Sequence, residues 1–188
     1  MCATRKDVSP VLQSRYATRR IQSANPGISL DEANGAAWLE GKRLLDRAIE
    51  ERSDFAFETT LGGNTIAGLL EEALAKGMDV RVWYTGLATP ELHIARVRSR
   101  VAKGGHDIPE AKIRERYDNG RLDVVRLLSK LTELKVFDNS EEADPDAGAA
   151  PLPTLLLHLD RGSVVSCCDL QTAPDWVKPI LAAALRRK

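Results

Sequence analysis

Hydrophobic positions in this chain fall into two rhythms, every third or fourth residue in some stretches and every second in others, the periods of a helix and of a strand. Behind Ser29 and Glu32, which have capping-box spacing, Ala37, Gly41, Leu44, Leu45, Ala48 and Ile49 recur at helical intervals and predict a helix over about 30–52. The next stretch, 54–60, is short, aromatic and β-branched, with Phe55, Phe57, Thr59 and Thr60, and stops at Gly62-Gly63, so it predicts a strand. Ile66, Leu69, Leu70, Ala73 and Leu74 then mark a helix ending at Gly77, and 80–85 reads as a second strand. Thr89 and Pro90 suit the N-cap and first position of a helix carrying Ile94, Val97 and Val101, which ends at Gly104-Gly105. Pro109 opens another, running to about residue 131.

A third strand is predicted over 135–140, leading into an acidic, small-residue loop over 141–150. Residues 155–159 and 164–168, separated by Asp160-Arg161-Gly162, predict a hairpin, and 174–185 a closing helix with one apolar side. Residues 1–28 have weak periodicity and end in the turn signal Asn25-Pro26-Gly27, which makes them a poorly defined N-terminal arm ahead of one domain over 29–188. Strands separated by helices of this length predict an α/β fold, with a mainly parallel sheet covered on both faces and the hairpin as an antiparallel addition. No internal repeat is visible.

With 188 residues, 43% of them apolar, the chain can bury a full core. Lys plus Arg and Asp plus Glu each number 27, so no whole-molecule field draws the chain to nucleic acid or to an anionic membrane. Cys2, Cys167 and Cys168 are an odd number with two adjacent, which suits neither a disulfide framework nor a zinc site and points to a reducing cytoplasm. No run of 18 apolar residues and no signal-peptide pattern occurs, so the expectation is a cytoplasmic protein without a membrane span.

In parallel sheets chemistry sits where strands end, and three exits carry polar residues. At the first, Glu58, Thr59 and Thr60 precede a glycine pair that permits close approach of a ligand, a place to hold a polyhydroxyl substrate. The plainer reading makes Glu58 a helix cap and the threonines strand formers. Beyond the second exit lies a helical pair over about 90–131. Arg96, Arg100 and Lys103 form one basic stripe on its first helix, and Arg114 and Arg116 lie early in the next. Guanidiniums converging from two helices can close over a nucleotide, since their planar forks bind phosphate oxygens. A solvated face paired to Glu91, Glu110, Glu115 and Asp118 is the alternative. His106 has no second ligand at metal spacing, with His93 and His158 on other elements, so no metal site is expected and His106 reads as a loop-positioning or phosphate-contacting imidazole. At the third exit, Asp138, Asn139 and Ser140 can meet an adenosine edge or simply form a turn. Cys167 and Cys168 have no base beside them in sequence, so no nucleophilic role is expected.

Five runs together resemble successive motifs of the zeta-toxin-like P-loop kinases. They are Phe55-Ala56-Phe57-Glu58-Thr59-Thr60-Leu61, Ala95-Arg96-Val97 through Arg100-Val101, Gly104-Gly105-His106-Asp107-Ile108-Pro109, Ile113-Arg114-Glu115-Arg116-Tyr117 and Phe137-Asp138-Asn139-Ser140. The resemblance extends from about Thr18 to Leu185. It implies a P-loop-kinase-like sheet with a helical lid, and transfer of the ATP γ-phosphate, with Mg2+, to a hydroxyl of a small acceptor such as UDP-N-acetylglucosamine, a sugar nucleotide. It further implies that Glu58 binds the acceptor with support from Thr59 and Thr60, that Arg100 and Arg116 hold phosphate with Arg96 and Arg114 as near substitutes, that Asn139 lies on the nucleotide side, and that an antitoxin protein is a partner.

The sequence also departs from that family. Nowhere does it contain G-x-x-x-x-G-K-[ST], the loop whose amides and lysine surround the phosphates. Gly35, Gly41 and Lys42 come nearest, but the glycines are one residue too far apart and Arg43 replaces the hydroxyl residue. The stretch where the family carries its catalytic aspartate, Gln13-Ser14-Arg15-Tyr16-Ala17, has no acid, so no catalytic residue is assigned. The strand that feeds the phosphate loop normally separates the strands carrying Phe55 and Val82, so these must pair directly, borrow an edge from the arm or leave backbone unpaired. The expectation is an N-terminally truncated, inactive kinase. The alternative is a non-catalytic module that binds a sugar nucleotide or a protein. Nucleic-acid binding by the basic lid is opposed by the zero net charge and the lack of interleaved aromatics.

Overall fold

The computed structural model describes residues 14–105, 107–141 and 152–186. Residues 1–13, His106, most of the 141–150 loop and the last two residues lie outside the described set, and with them Cys2 and the start of the stretch aligned with the family's aspartate. The chain divides into two compact units, Met1–Thr60 and Leu61–Lys188.

In the first unit two helices pack on each other, α1 (Ser14–Ala24) and α2 (Leu30–Glu51). Helix α1 falls within the stretch read from sequence as an arm. Ala17, Ala33 and Ala37 are buried, and Thr18 donates to the Asn34 side-chain oxygen at 2.9 Å. Small residues let the backbones approach, and their weak hydrophobic signal is why α1 is faint in sequence. The capping box at α2 is present as predicted. The Glu32 amide donates to Ser29 Oγ at 3.2 Å, and the Ser29 amide donates to the Glu32 carboxylate at 3.0 Å. The helix ends at Arg52 in the left-handed region, φ 52°.

Residues 54–60 do not form the expected strand. Only Phe57 makes a bridge, and Glu58, Thr59 and Thr60 are exposed. Phe55 and Phe57, two apart and so on one side of extended backbone, stack with ring centres 5.7 Å apart. Aromatic and β-branched residues favour an extended chain, but a strand exists only where a neighbour completes its ladder.

The second unit holds α3 (Asn64–Ala75), β1 (Arg81–Gly86), α4 (Pro90–Val101), α5 (Glu110–Leu127), β2 (Glu133–Asp138), β3 (Thr154–Asp160), β4 (Ser163–Cys167) and α6 (Lys178–Leu185), with a short 3-10 turn at Asp175–Val177 before the last. The sheet order is β1-β2-β3-β4. Strands β1 and β2 are parallel and in register from Arg81 opposite Glu133 to Gly86 opposite Asp138, and the other two pairings are antiparallel. The fold is mixed α/β, and a mainly parallel sheet is replaced by one with a single parallel pairing among the described residues. The expected strand over 54–60 is reduced to the Phe57 bridge, which leaves β1–β2 as the one parallel pair of the described sheet, and the turn at Arg161 and Gly162, with φ 46° and 78°, folds β4 back on β3 as expected.

Burial alternates along β2, whose Leu134 and Val136 are fully buried with Leu157, Val124, Leu127, Ile180 and Leu181. Coverage of both faces does not hold along β1. Arg81, Trp83 and Thr85 are exposed, Trp83 to 70%, while Tyr84 and Gly86 face Trp176. Lys135 lies 5.3 Å from the Trp83 ring centre and shields part of that open face. No helix among the described residues is long and apolar enough to cross a membrane.

Gly86 sits where Trp176, only 2% exposed, crosses the end of β1, and a Cβ there would lie 2.3 Å from the indole. Gly86→Ala is therefore expected to destabilise the chain by about 1–3 kcal/mol in urea melts and to shift the Trp176 emission. A melt identical to wild type would show that the ring does not rest there.

Candidate functional site

Parallel pairing brings the exits of β1 and β2 side by side. The Asn139 amide continues the ladder to Gly86 O at 3.0 Å, and the Ala88 amide donates to Ser140 Oγ at 2.7 Å. Asp138 accepts from Trp176 Nε1 at 3.3 Å and from the Ser140 hydroxyl. The Asp138-Asn139-Ser140 run is thus a built turn joining both strand ends to the C-terminal segment.

Helix α4 starts directly from the β1 exit, capped by Thr89 Oγ1, which accepts from the Leu92 amide at 3.1 Å. One turn on, Arg96 reaches back to the β2 exit and donates to the main-chain oxygens of Asn139 at 2.8 Å, Ser140 at 3.4 Å and Glu141 at 3.0 Å. Helix α5 is fixed to the other exit, since the Tyr117 hydroxyl lies 3.2 Å from Leu87 O and 2.8 Å from Ala88 O. Between the helices, Ile94, Val97 and Ile113 form a small core with Val101 and Ile108 against it, beside a cavity of about 420 Å³. The connection needs both glycines for different reasons. Gly104 has φ +81°, whereas a Cβ on Gly105 would meet Arg100 Cγ at 2.5 Å and Arg100 O at 2.8 Å.

The arginines singled out from sequence separate into distinct surroundings. Arg96 holds carbonyls, and Arg114 pairs with Glu91 at 2.6 Å and draws that carboxyl below its ordinary range. Arg98 pairs with Glu110. Arg100 lies against Gly105 and stands close enough to His93, with Arg96, to disfavour its protonation. Arg116 is half-buried and makes no hydrogen bond or ion pair among the described residues. Its backbone closes on the Leu61-Gly62 turn, where Gly62 has φ +119° and a Cβ would lie 3.0 Å from Arg116 O. The Gly62 amide donates to the buried Asp123 carboxylate at 3.1 Å, and Gly120 admits Leu61 O one turn after Arg116. Glu58, Thr59 and Thr60 belong to the first unit, on the segment ending at Thr60. His106 lies outside the described residues.

Sequence reasoning passed over Trp176, Gly86, Tyr117 and Asp123 as site-building residues. Tyr117 lies in the run Ile113–Tyr117 and Trp176 in the predicted closing helix over 174–185, but their partners are 29 and 38 residues away in sequence, respectively. His93 was read only as a distant imidazole. Its ring meets Tyr117 edge-on at 6.3 Å, and its Nδ1 is buried without a partner.

A family model described as Zeta toxin matches residues 17–144. The chain belongs to the zeta toxin family. An uncharacterized protein of Haemophilus influenzae is 32% identical over 110 residues, which are 58% of this chain and 76% of that protein. No solved structure matches the chain. The zeta toxin match takes in both helices of the first unit, the α4–α5 pair and the exits of β1 and β2, and ends before β3. The hairpin and α6, which the resemblance drawn from sequence also included, lie beyond it.

Two predictions follow from the anchoring of the α4–α5 pair. Arg96→Ala removes a charged donor from three carbonyls and is expected to cost about 1.5–3 kcal/mol in urea melts; Arg96→Lys restores only part, because an ammonium lacks the planar fork. Burial first, then Arg96 and Arg100, hold His93 below its ordinary 6.5. The folded chain then binds the His93 proton less tightly than the unfolded one, so this contribution is present above the unfolded pKa and lost as pH falls through the folded one. The melting temperature is expected to drop between about pH 7.5 and about pH 5.5, and His93→Phe to flatten that drop while keeping the ring contact. An unchanged slope in the variant would remove His93 as the cause.

Proposed function

We propose that this zeta toxin family member is the acceptor-recognising part of an ATP-dependent small-molecule kinase, and that the 188 residues bind the acceptor without phosphorylating it. The acceptor class is a sugar nucleotide such as UDP-N-acetylglucosamine, whose diphosphate suits Arg116 and Arg100 of the second unit; Glu58, Thr59 and Thr60 of the first unit are the hydroxyl-binding residues that the family resemblance implies. Arg96 and Arg114 are secondary phosphate contacts in this reading, since main-chain oxygens and Glu91 already engage them. Asn139 faces the nucleotide, and an antitoxin protein is the partner.

The observation that carries the reading is Arg116, a half-buried guanidinium with no described partner, held beside the Gly62 turn by close backbone packing. A partly buried guanidinium without a described carboxylate partner leaves its planar fork open to phosphate oxygens. The residues present do not fit ATP with magnesium. The phosphate-loop sequence occurs nowhere in the chain, and no group of three or more His, Cys, Asp or Glu side chains able to hold a metal occurs among the described residues. Phosphoryl transfer is mostly positioning and charge stabilisation, in which orientation alone is worth roughly 7–11 kcal/mol. Arginines on two helices do not replace an amide cradle. A non-catalytic module that binds a sugar nucleotide or a protein is the second reading, favoured by that same missing donor set.

Calorimetry with UDP-N-acetylglucosamine is expected to show binding that Arg116→Ala and Glu58→Gln each weaken by about tenfold or more. Incubation with ATP, magnesium and the same acceptor is expected to give no phosphorylated product. Measurable turnover by the purified chain would overturn the inactivity, and the absence of binding heat from a cooperatively melting sample would overturn the acceptor.

A further inference from the structure

Asp123 is 8% exposed and forms no ion pair among the described residues, and Arg126, three positions on, is taken by Glu71. A carboxylate loses hydration on burial and persists where hydrogen bonds compensate it. Asp123 is instead engaged by a main-chain amide 61 residues away, that of Gly62, at 3.1 Å. Arg116, Gly120 and Asp123 stand at i, i+4 and i+7 on α5 and so share one face of the helix. Each of them meets the Leu61-Gly62 turn. Asp123 accepts the Gly62 amide, Gly120 admits Leu61 O to 3.2 Å from the place a Cβ would take, and a Cβ on Gly62 would lie 3.0 Å from Arg116 O and 3.1 Å from Arg116 Cα. With φ +119° at Gly62 as well, the turn is one that only glycine makes at this distance from the helix. From the sheet, the Tyr84 hydroxyl comes within 3.1 Å of the Cβ place of Gly120; burial pushes its pKa up to about 12, so the phenol is neutral beside the acid.

We propose that Asp123 is a positioning residue for Arg116: by clamping the Leu61-Gly62 turn onto α5 it confines the arginine for a phosphate group, without touching the ligand itself. The proposal rests on the reading of Arg116 as a phosphate contact. The turn lies against the main chain at the point where the Arg116 side chain leaves the helix, so it forms a wall beside the stem. A long side chain next to a fixed wall has fewer rotamers to lose when an anion binds. Once the acceptor for the Gly62 amide is gone, the turn is free to lift, the arginine regains those rotamers and water reaches the guanidinium. A carboxamide at 123 keeps an oxygen for the same amide, so the clamp needs the acceptor atom and not the charge.

The test compares the full chain with its Asp123→Ala, Asp123→Asn and Arg116→Ala variants by calorimetry, at a temperature where each is folded, with UDP-N-acetylglucosamine and inorganic pyrophosphate as separate probes. Asp123→Ala is expected to weaken binding by roughly tenfold or more, the scale of a hydrogen bond to a charged group, and Asp123→Asn to stay close to wild type. Wild-type affinity in folded Asp123→Ala overturns the positioning role and leaves the phosphate reading of Arg116 standing. Binding of neither probe by the wild-type chain, or binding that Arg116→Ala leaves unchanged, overturns both. Should Asp123→Ala fail to fold, hydrogen exchange at the Gly62 amide of the wild-type chain decides independently. A clamp on which binding depends is tightened by the ligand in return, so saturation with the bound probe is expected to slow that exchange by about fivefold or more. Exchange unchanged at saturation overturns the proposal.

Discussion

An indole lying where a glycine leaves room holds the working end of the second unit together. Trp176 crosses Gly86 at the last residue of β1 and donates to Asp138 at the last residue of β2, so one side chain from the C-terminal segment spans the exits of both parallel strands. Burial of so large a ring contributes about 2–3 kcal/mol, and its N–H needs the partner it finds. Strand ends carry backbone groups that have left the ladder. Here the Ser140 hydroxyl, the Arg96 guanidinium and the Tyr117 hydroxyl meet them.

From that seat the α4–α5 pair inherits its position. Each helix is tied at its base to a different strand exit, α4 through Arg96 and α5 through Tyr117, while Arg98–Glu110 and Arg114–Glu91 link the two along their length. Exposed ion pairs of this kind contribute little individually. Their effect is to hold two helices in one register above a small apolar core, which leaves the glycine connection at 104 and 105 as the part free of such ties among the described residues. Charged residues that look equivalent in sequence have separate duties, some holding backbone, some holding each other, and Arg116 presented without a described partner.

Membership of the zeta toxin family gives this arrangement its context. The matched region covers the strand exits and the helical pair and stops before the hairpin that completes the sheet. Backbone packing places Arg116 beside the Gly62 turn, whereas Arg96 and Arg114 are engaged by main-chain oxygens and by Glu91. The amide cradle that would hold a phosphate donor is not written in these residues.

Local interactions were legible in the sequence because both partners stand within a few residues of each other. The Ser29–Glu32 box, the Thr89 cap with Pro90 behind it and the 160–162 hairpin turn each depend on backbone dihedrals and side chains a few positions apart, and all are found where the pattern put them, whereas the strand expected over 135–140 runs two residues earlier, over Glu133–Asp138. Tertiary structure alone decided the matters that need a distant partner. Phe57 has strand character but only a bridge, since no ladder forms along 54–60; β3 pairs antiparallel to β2; Arg96 faces carbonyls more than forty residues away; and Gly86 is required by an indole ninety positions later. Periodicity records which face of an element is apolar, but the element that covers that face is fixed only when the chain closes on itself.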